Sequence, residues 1–294
     1  MQVALQSVAA ATAALLFSIG INAKEADLPC GAYRLAYYEL GTLYFTDRQG
    51  NPGGVDYEVA QELSKRTGCK FLAVLESRVR TWEQFSRNAL DLTLSAIPSR
   101  EREKTAEFVP YLKGRTFVVA RADVAERART LQSFSADQKL TVAVVKGFSY
   151  GPYFDAWLQQ MRQQRRIVEA SDFNIAVKLF EHGRADAILV NPFSLPVLGR
   201  NENTASQYRI VYWQNDDIAV GALAMSRTRI PESDRKRLRD ALASMLRDGT
   251  IESIVGRHMG EAVARELIFN GNDIQRRKPT ERKLKQVDAK PASQ

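Results

Sequence analysis

Between residues 82 and 111 the chain reads WEQFSRNALDLTLSAIPSREREKTAEFVPY, and this stretch narrows the possible folds more than any other. Trp82, Phe85 and Ala89 recur at helical spacing while Arg87 and Asn88 face away, which predicts an amphipathic helix. Residues 90–94 are a short apolar run, predicting a strand whose end delivers Ser95 into a loop. Ser99 then gives a helix N-cap signal three residues before Arg102. A helical turn there offers free backbone N–H groups, and Arg102 adds a planar fork of donors, so the pair suits a carboxylate. The same residues also read as a plain strand–turn–helix with a solvated charged face. The stretch by itself leaves both readings open.

The flanking chain alternates in the same way. An apolar strand at 33–38 is followed by turn formers at 47–54 and by a helix over 55–68, with Val55, Val59 and Leu63 as its stripe and Gly68 as its stop. A strand over 71–75 leads into the 82–111 stretch. Beyond it come a strand at 116–120, a polar connection with a short helix at 122–136, and a buried-type strand at 140–145. That strand runs into Lys146-Gly147-Phe148-Ser149-Tyr150-Gly151 and a helix over about 152–164. A strand–glycine–serine–helix junction suits an anion; Ser149 equally reads as an N-cap. A helix over 172–180, a strand return at 218–225 and helices over 231–246 and 250–260 complete the pattern. Strands alternating with helices indicate an α/β architecture.

Several of these runs together resemble the periplasmic solute-binding proteins for polar amino acids, solute-binding family 3 of ABC importers. The run opening at Trp82 resembles the family's W-x-x-x-x-x-x-L-x-x-G-x-x-D followed by an apolar strand, Ser99-Arg100-Glu101-Arg102 is similar to its T-x-E-R piece, and Phe108-Val109-Pro110-Tyr111 to its close. The helix at 55–68 is similar to its first helix, Gly147-Phe148-Ser149 to its G-T/S-T loop, 183–191 to its G-x-x-D-A-x-x-x-D run, and Asp248-Gly249-Thr250 to its closing helix. The resemblance covers roughly residues 33–260. It implies a two-lobed periplasmic-binding-protein fold of type II, each lobe a sheet flanked by helices, with two hinge strands near Ala120 and Ala219. Residues 24–119 with 220–270 would form one lobe and 120–219 the other.

The resemblance also implies a site. Arg102 and Ser149 would hold a ligand carboxylate, Ser95 would add a hydrogen bond, and Tyr38 and Glu39 would lie near the ligand side chain. Two positions depart from the pattern. Where the family places an acid for the ligand ammonium, this chain has Asn191, and Ile97 stands where a polar residue is expected. A buried ammonium without an anionic partner costs several kcal/mol or so. Either Glu39 replaces the acid, or the ligand is a carboxylate lacking an ammonium, or small-molecule transport has been lost. Asn191-Pro192 also reads as a turn at a strand end.

Composition bounds the rest. Residues 3–21 form an apolar segment ending near Ala23, which resembles a secretory signal peptide over residues 1–23 and predicts a periplasmic location; an uncleaved anchor is the alternative. Cys30 and Cys69 each precede a predicted strand. If those strands are parallel neighbours, both thiols start at one sheet edge and would pair in an oxidising periplasm; two unrelated thiols are the alternative. The two cysteines and two histidines show no metal-ligand spacing, and no cofactor is expected. The net charge is +8, of which seven basic against three acidic residues at 271–294 give +4 in a tail with little apolar content, expected to be disordered. No nucleic-acid motif accompanies that charge.

The leading expectation is therefore a non-enzymatic, monomeric, periplasmic binding component delivering a small polar carboxylate ligand to the membrane permease of an ABC importer. An accessory or sensory binding protein comes second. A dehydratase-like enzyme on the same scaffold comes third, with Glu39 as a weak candidate acid.

Overall fold

The computed structural model describes residues 29–198, 207–211, 213 and 218–270. The expected signal peptide (1–23) and basic tail (271–294) lie outside the described residues. Among those described, no helix is long and apolar enough to cross a membrane.

Two five-stranded sheets carry the architecture, beside a small hairpin of Phe45–Thr46 (β2) and Pro52–Gly53 (β3) and the short helices Ala122–Arg127 (α3) and Leu131–Ala136 (α4). The first has the order β4-β1-β5-β12-β6, from Lys70–Leu75 (β4), Ala32–Tyr37 (β1), Leu92–Ala96 (β5), Ala219–Ser226 (β12) and Ala106–Gly114 (β6). β4, β1 and β5 run parallel, while β12 is antiparallel to both β5 and β6. Val55–Thr67 (α1) crosses from β1 to β4, and Arg78–Ser86 (α2) from β4 to β5. The second sheet has the order β11-β7-β10-β8-β9, from Tyr208–Val211 (β11), Phe117–Arg121 (β7), Ala187–Val190 (β10), Val142–Val145 (β8) and Ile167–Ala170 (β9). β8 and β10 are buried at all four positions, as strands covered on both faces require. Pro152–Gln163 (α5) buries Phe154, Trp157, Leu158 and Met161 against one cluster, and Phe173–Glu181 (α6) buries Phe173, Ala176, Val177 and Phe180 against the other.

The chain passes from the first sheet to the second through Arg115 and Thr116, and returns between Val211 and Ala219. All five residues of β7 belong to the second sheet, because β10 and β11 pair with it on either side. The lobe boundary expected at 119/120 thus falls inside a strand, and the crossing lies some four residues earlier. The C-terminal helices Glu232–Arg247, Thr250–Met259 and Glu261–Leu267 return to the first lobe. There Arg66 Nη1 meets Asp248 at 2.6 Å and His258 Nε2 meets Glu58 at 2.6 Å. Buried Asp234 accepts from the Gly31 N–H at 3.0 Å and from the Tyr33 hydroxyl.

The β1–β4 register pairs Ala32 with Lys70, which brings the residues just before each strand together. Cys30 and Cys69 form a disulfide there, with Cα atoms 4.6 Å apart.

Three details of the 82–111 stretch differ from expectation. The helix starts at Arg78, capped by the Ser77 hydroxyl, and stops at Ser86, leaving Ala89 outside. The strand extends through Ala96, so Ser95 is not in a loop but near the strand's end, at φ 46°. Arg102–Lys104 is a single 3-10 turn, whose Arg102 N–H reaches Ser99 Oγ at 3.3 Å, so no helix N-terminus stands there to receive an anion.

Candidate functional site

The carboxyl ends of β1 and β5 in one sheet and of β8 and β10 in the other meet at a cleft, the usual location of a ligand in open α/β sheets. It stands nearly closed, with room of about 50 Å³ for water-sized spheres. Leu40, Leu43, Ile97, Phe148, Pro192 and Phe193 make its walls largely apolar, with Lys113 and Arg115 beside them on the crossing strand.

Two contacts close the lobes on each other. In the first, the Thr42 N–H donates to the Phe193 carbonyl at 2.8 Å and the Thr42 hydroxyl reaches the same oxygen at 3.2 Å. Gly41, at φ 56°, lies so near that a Cβ would stand 2.0 Å from that oxygen. In the second, Arg102 Nη2 donates to the Gly147 carbonyl at 3.1 Å while Nη1 donates to the Ile97 carbonyl at 2.8 Å. The Arg102 guanidinium stacks over Trp82, with Cζ 4.3 Å from the ring centroid. Burial, and then the nearby charge of Arg78, lower the Arg102 pKa to about 10, with Asp155 acting in the opposite sense.

Ser95 is tied into a buried triangle. Its hydroxyl donates to Asp56 Oδ1 at 2.6 Å, its N–H donates to the Tyr111 hydroxyl at 3.0 Å, and the Tyr111 hydroxyl donates to Asp56 at 2.8 Å. A register shift between Gly221 and Ala222 leaves Tyr111 without a cross-strand partner on β12. Burial pushes the Asp56 carboxyl up to about 6, against the two hydrogen bonds and the Arg78 charge. Ser149 donates to Asp155 Oδ2 at 2.5 Å, and the same carboxylate accepts from the Tyr150 N–H at 2.8 Å. The N-cap of α5 is Gly151, not Ser149. Asn191 accepts from the Ser194 N–H at 2.9 Å, forming the strand-end turn, and also lines the cleft. Glu39 is half-buried and is not among the cleft-lining residues; its charge adds to burial in raising the Tyr44 hydroxyl.

Tyr38 is buried with its hydroxyl unbonded; the Phe173 backbone approaches it without hydrogen-bonding geometry. Arg78 sits against it, Cζ 4.7 Å from the ring centroid and 6.0 Å from that of Phe148. Among the expected residues, then, Ser95 and Asn191 line the cleft, Arg102 stands at the lobe junction bonded to Ile97 and Gly147, Tyr38 lies beside Phe148, Ser149 turns to its own acid, and Glu39 stands apart. Arg78, Asp56, Phe148 and Asp155 were not foreseen as site residues. Among the described residues, no group of three His, Cys, Asp or Glu side chains could hold a metal ion.

The model of the bacterial extracellular solute-binding proteins, family 3, matches residues 39–261. The chain belongs to this family. No curated protein sequence matches it. Solved structures of similar fold include an ancestral arginine-binding protein bound to arginine, 18% identical with a TM-score of 0.67, covering 79% of this chain and 100% of that one. A putative L-cystine ABC transporter protein from Listeria monocytogenes is 20% identical with a TM-score of 0.65, covering 78% and 96%. An ancestral amino acid-binding protein described as a precursor of cyclohexadienyl dehydratase is 19% identical with a TM-score of 0.61, covering 78% and 95%. At these identities the likeness concerns the fold. The solute-binding pattern W-x-x-x-x-x-x-L-x-x-G-x-x-D also gains a register: Asn88 takes the glycine position, at φ 54°, ahead of Asp91. Counting back puts Phe85 at the leucine and Arg78, rather than Trp82, at the tryptophan.

Proposed function

We propose that this solute-binding protein is the periplasmic component of an ABC importer and takes a small carboxylate-bearing ligand, an amino acid or analogue, between its lobes. The observation that carries the reading is the placement of Arg102. It reaches across the lobe junction to Gly147 while stacked on Trp82, so a fixed cation stands where the lobes close. Closure around a ligand in such folds is a hinge motion, and here the first crossing is only Arg115 and Thr116. The apolar walls exclude water and strengthen whatever charge pairing forms inside.

The test is a thermal-shift and calorimetric screen of the full chain against amino acids, their deaminated and N-blocked analogues, and prephenate-like acids. A ligand at a hundredfold excess over its Kd raises stability by roughly 3 kcal/mol, a shift well within reach of the method. The expected result is at least one carboxylate hit, weakened a hundredfold or more by Arg102→Ala. Uptake of that compound by cells should fall when the gene is deleted. Silence across the panel, or a hit indifferent to Arg102→Ala, overturns the reading and favours an accessory or sensory role.

A further inference from the structure

Arg78 is 4% exposed, and its Nη1 is buried without a hydrogen-bond partner. It forms no ion pair with a described residue. Asp56, an acid whose charge it feels, accepts at Oδ1 from Ser95 and Tyr111 and makes no hydrogen bond or ion pair with it. The chain satisfies its other deeply buried arginine fully. Arg166, 3% exposed, donates to the carbonyls of Phe134, Ser135, Asp137 and Leu140 and to Gln164 Oε1. A buried guanidinium left unpaired is costly, and a fold that spends such a group holds it for a partner outside the chain.

The surroundings say where that partner would come from. Beside Arg78 stands a second orphan, the buried Tyr38 hydroxyl. Phe148 touches both places: its ring is 6.4 Å from that of Tyr38 and 6.0 Å from the Arg78 Cζ, and it also lines the cleft. Phe148 is carried by the β8–α5 loop of the second lobe, so it leaves Arg78 when the lobes part. Arg102 is the next cation along. It stacks on Trp82, one helical turn after Arg78 on α2, and after burial the Arg78 charge further lowers the Arg102 guanidinium's preference for its charged form.

We infer that Arg78, with the Tyr38 hydroxyl, is a second anion subsite of the cleft, and that the ligand is a small dicarboxylate without an ammonium group, one carboxylate on Arg78 and the other on Arg102. This rests on the binding reading above and deepens it. Two converging cations are relieved by two negative charges. An ammonium would instead face both, with neutral Asn191 lining the cleft and Asp56, though ionised at pH 7, absent from that lining. The closed cleft without ligand keeps Phe148 over Arg78, and the ligand takes the space Phe148 vacates.

Isothermal titration of the full, disulfide-bonded chain with succinate, 2-oxoglutarate, glutamate, arginine and butyrate tests this, using wild type, Arg78→Met and Arg78→Lys. The expected order puts 2-oxoglutarate at least tenfold tighter than glutamate. Arg78→Met should weaken dicarboxylates a hundredfold or more and butyrate less than threefold, and Arg78→Lys should restore part of the loss. Without ligand, Arg78→Met should melt no lower than wild type, since it removes an unpaired buried charge; a merely structural arginine would lower the melting temperature. Glutamate or arginine binding more tightly than 2-oxoglutarate, or dicarboxylate affinity unchanged in Arg78→Met, overturns the inference and leaves the binding reading standing. If no carboxylate binds wild type at all, both fall.

Discussion

The Ser95 hydroxyl donates to Asp56 at 2.6 Å, joining the end of a central strand to the first turn of α1 beneath the cleft. Asp56 is buried among few polar atoms, and its pKa stands near 6, above the ordinary carboxylate value. The sign follows from linkage. Below about pH 4 the group is protonated folded and unfolded, and its ionisation costs nothing; as pH rises through 6 the folded state must accept a buried charge. The full burden, about 3 kcal/mol, is present at pH 7. Asp56→Asn, whose Oδ1 accepts from the same two hydroxyls, should flatten this part of the stability profile. Urea titrations at pH 4.5 and 7 will measure it, and an unchanged pH slope in the variant would refute the assignment.

Gly41 should govern closure. A methyl group there would press into the Phe193 carbonyl, and φ 56° is itself unfavourable for alanine. Gly41→Ala should leave the melting temperature within a few degrees of wild type while lowering ligand affinity at least tenfold. Small-angle scattering should find the variant open with ligand present.

The Cys30–Cys69 bridge spans 39 residues, including all of β1 and α1. By the chain-entropy estimate a loop of that length is worth about 4 kcal/mol. The double serine variant should lose stability of that order in urea titration, and thiol titration of unreduced wild type should find none free.

Arg166 supplies the contrast to Arg78. Removing it takes a donor from four backbone carbonyls inside the second lobe, of which Asp137 keeps the Leu140 N–H and Ser135 the Gln138 amide. Arg166→Met should therefore destabilise by about 3 kcal/mol or more. Differential scanning calorimetry of the two methionine variants side by side would expose opposite behaviour from the same substitution.

Much of the fold was legible because hydrophobic period and glycine stops report burial directly. The α1 stripe of Val55, Val59 and Leu63, closed by Gly68, is buried as read. Other features escaped because they depend on position in space. Ser95 looked like a loop residue because nothing in its identity announces a strand residue at positive φ. Arg78 was passed over since Trp82 drew the start of the helix to itself; the signal was available in the spacing back from Asp91. Ser149 and Asn191 turned to partners close along the chain, Asp155 and Ser194, which short-range capping patterns could have flagged. Arg102 was expected at the cleft from its motif, and its bonds to Ile97 and Gly147 depend on how the two lobes meet, which no motif reports.

Phe148 has a consequence for time rather than affinity. A subsite covered by one of the cleft's own wall rings accepts a guest only as often as that ring withdraws. Association should then level off at high ligand concentration instead of climbing in proportion to it. The plateau would report the frequency of the ring's departure, and the apparent affinity would be discounted by the fraction of molecules standing vacant.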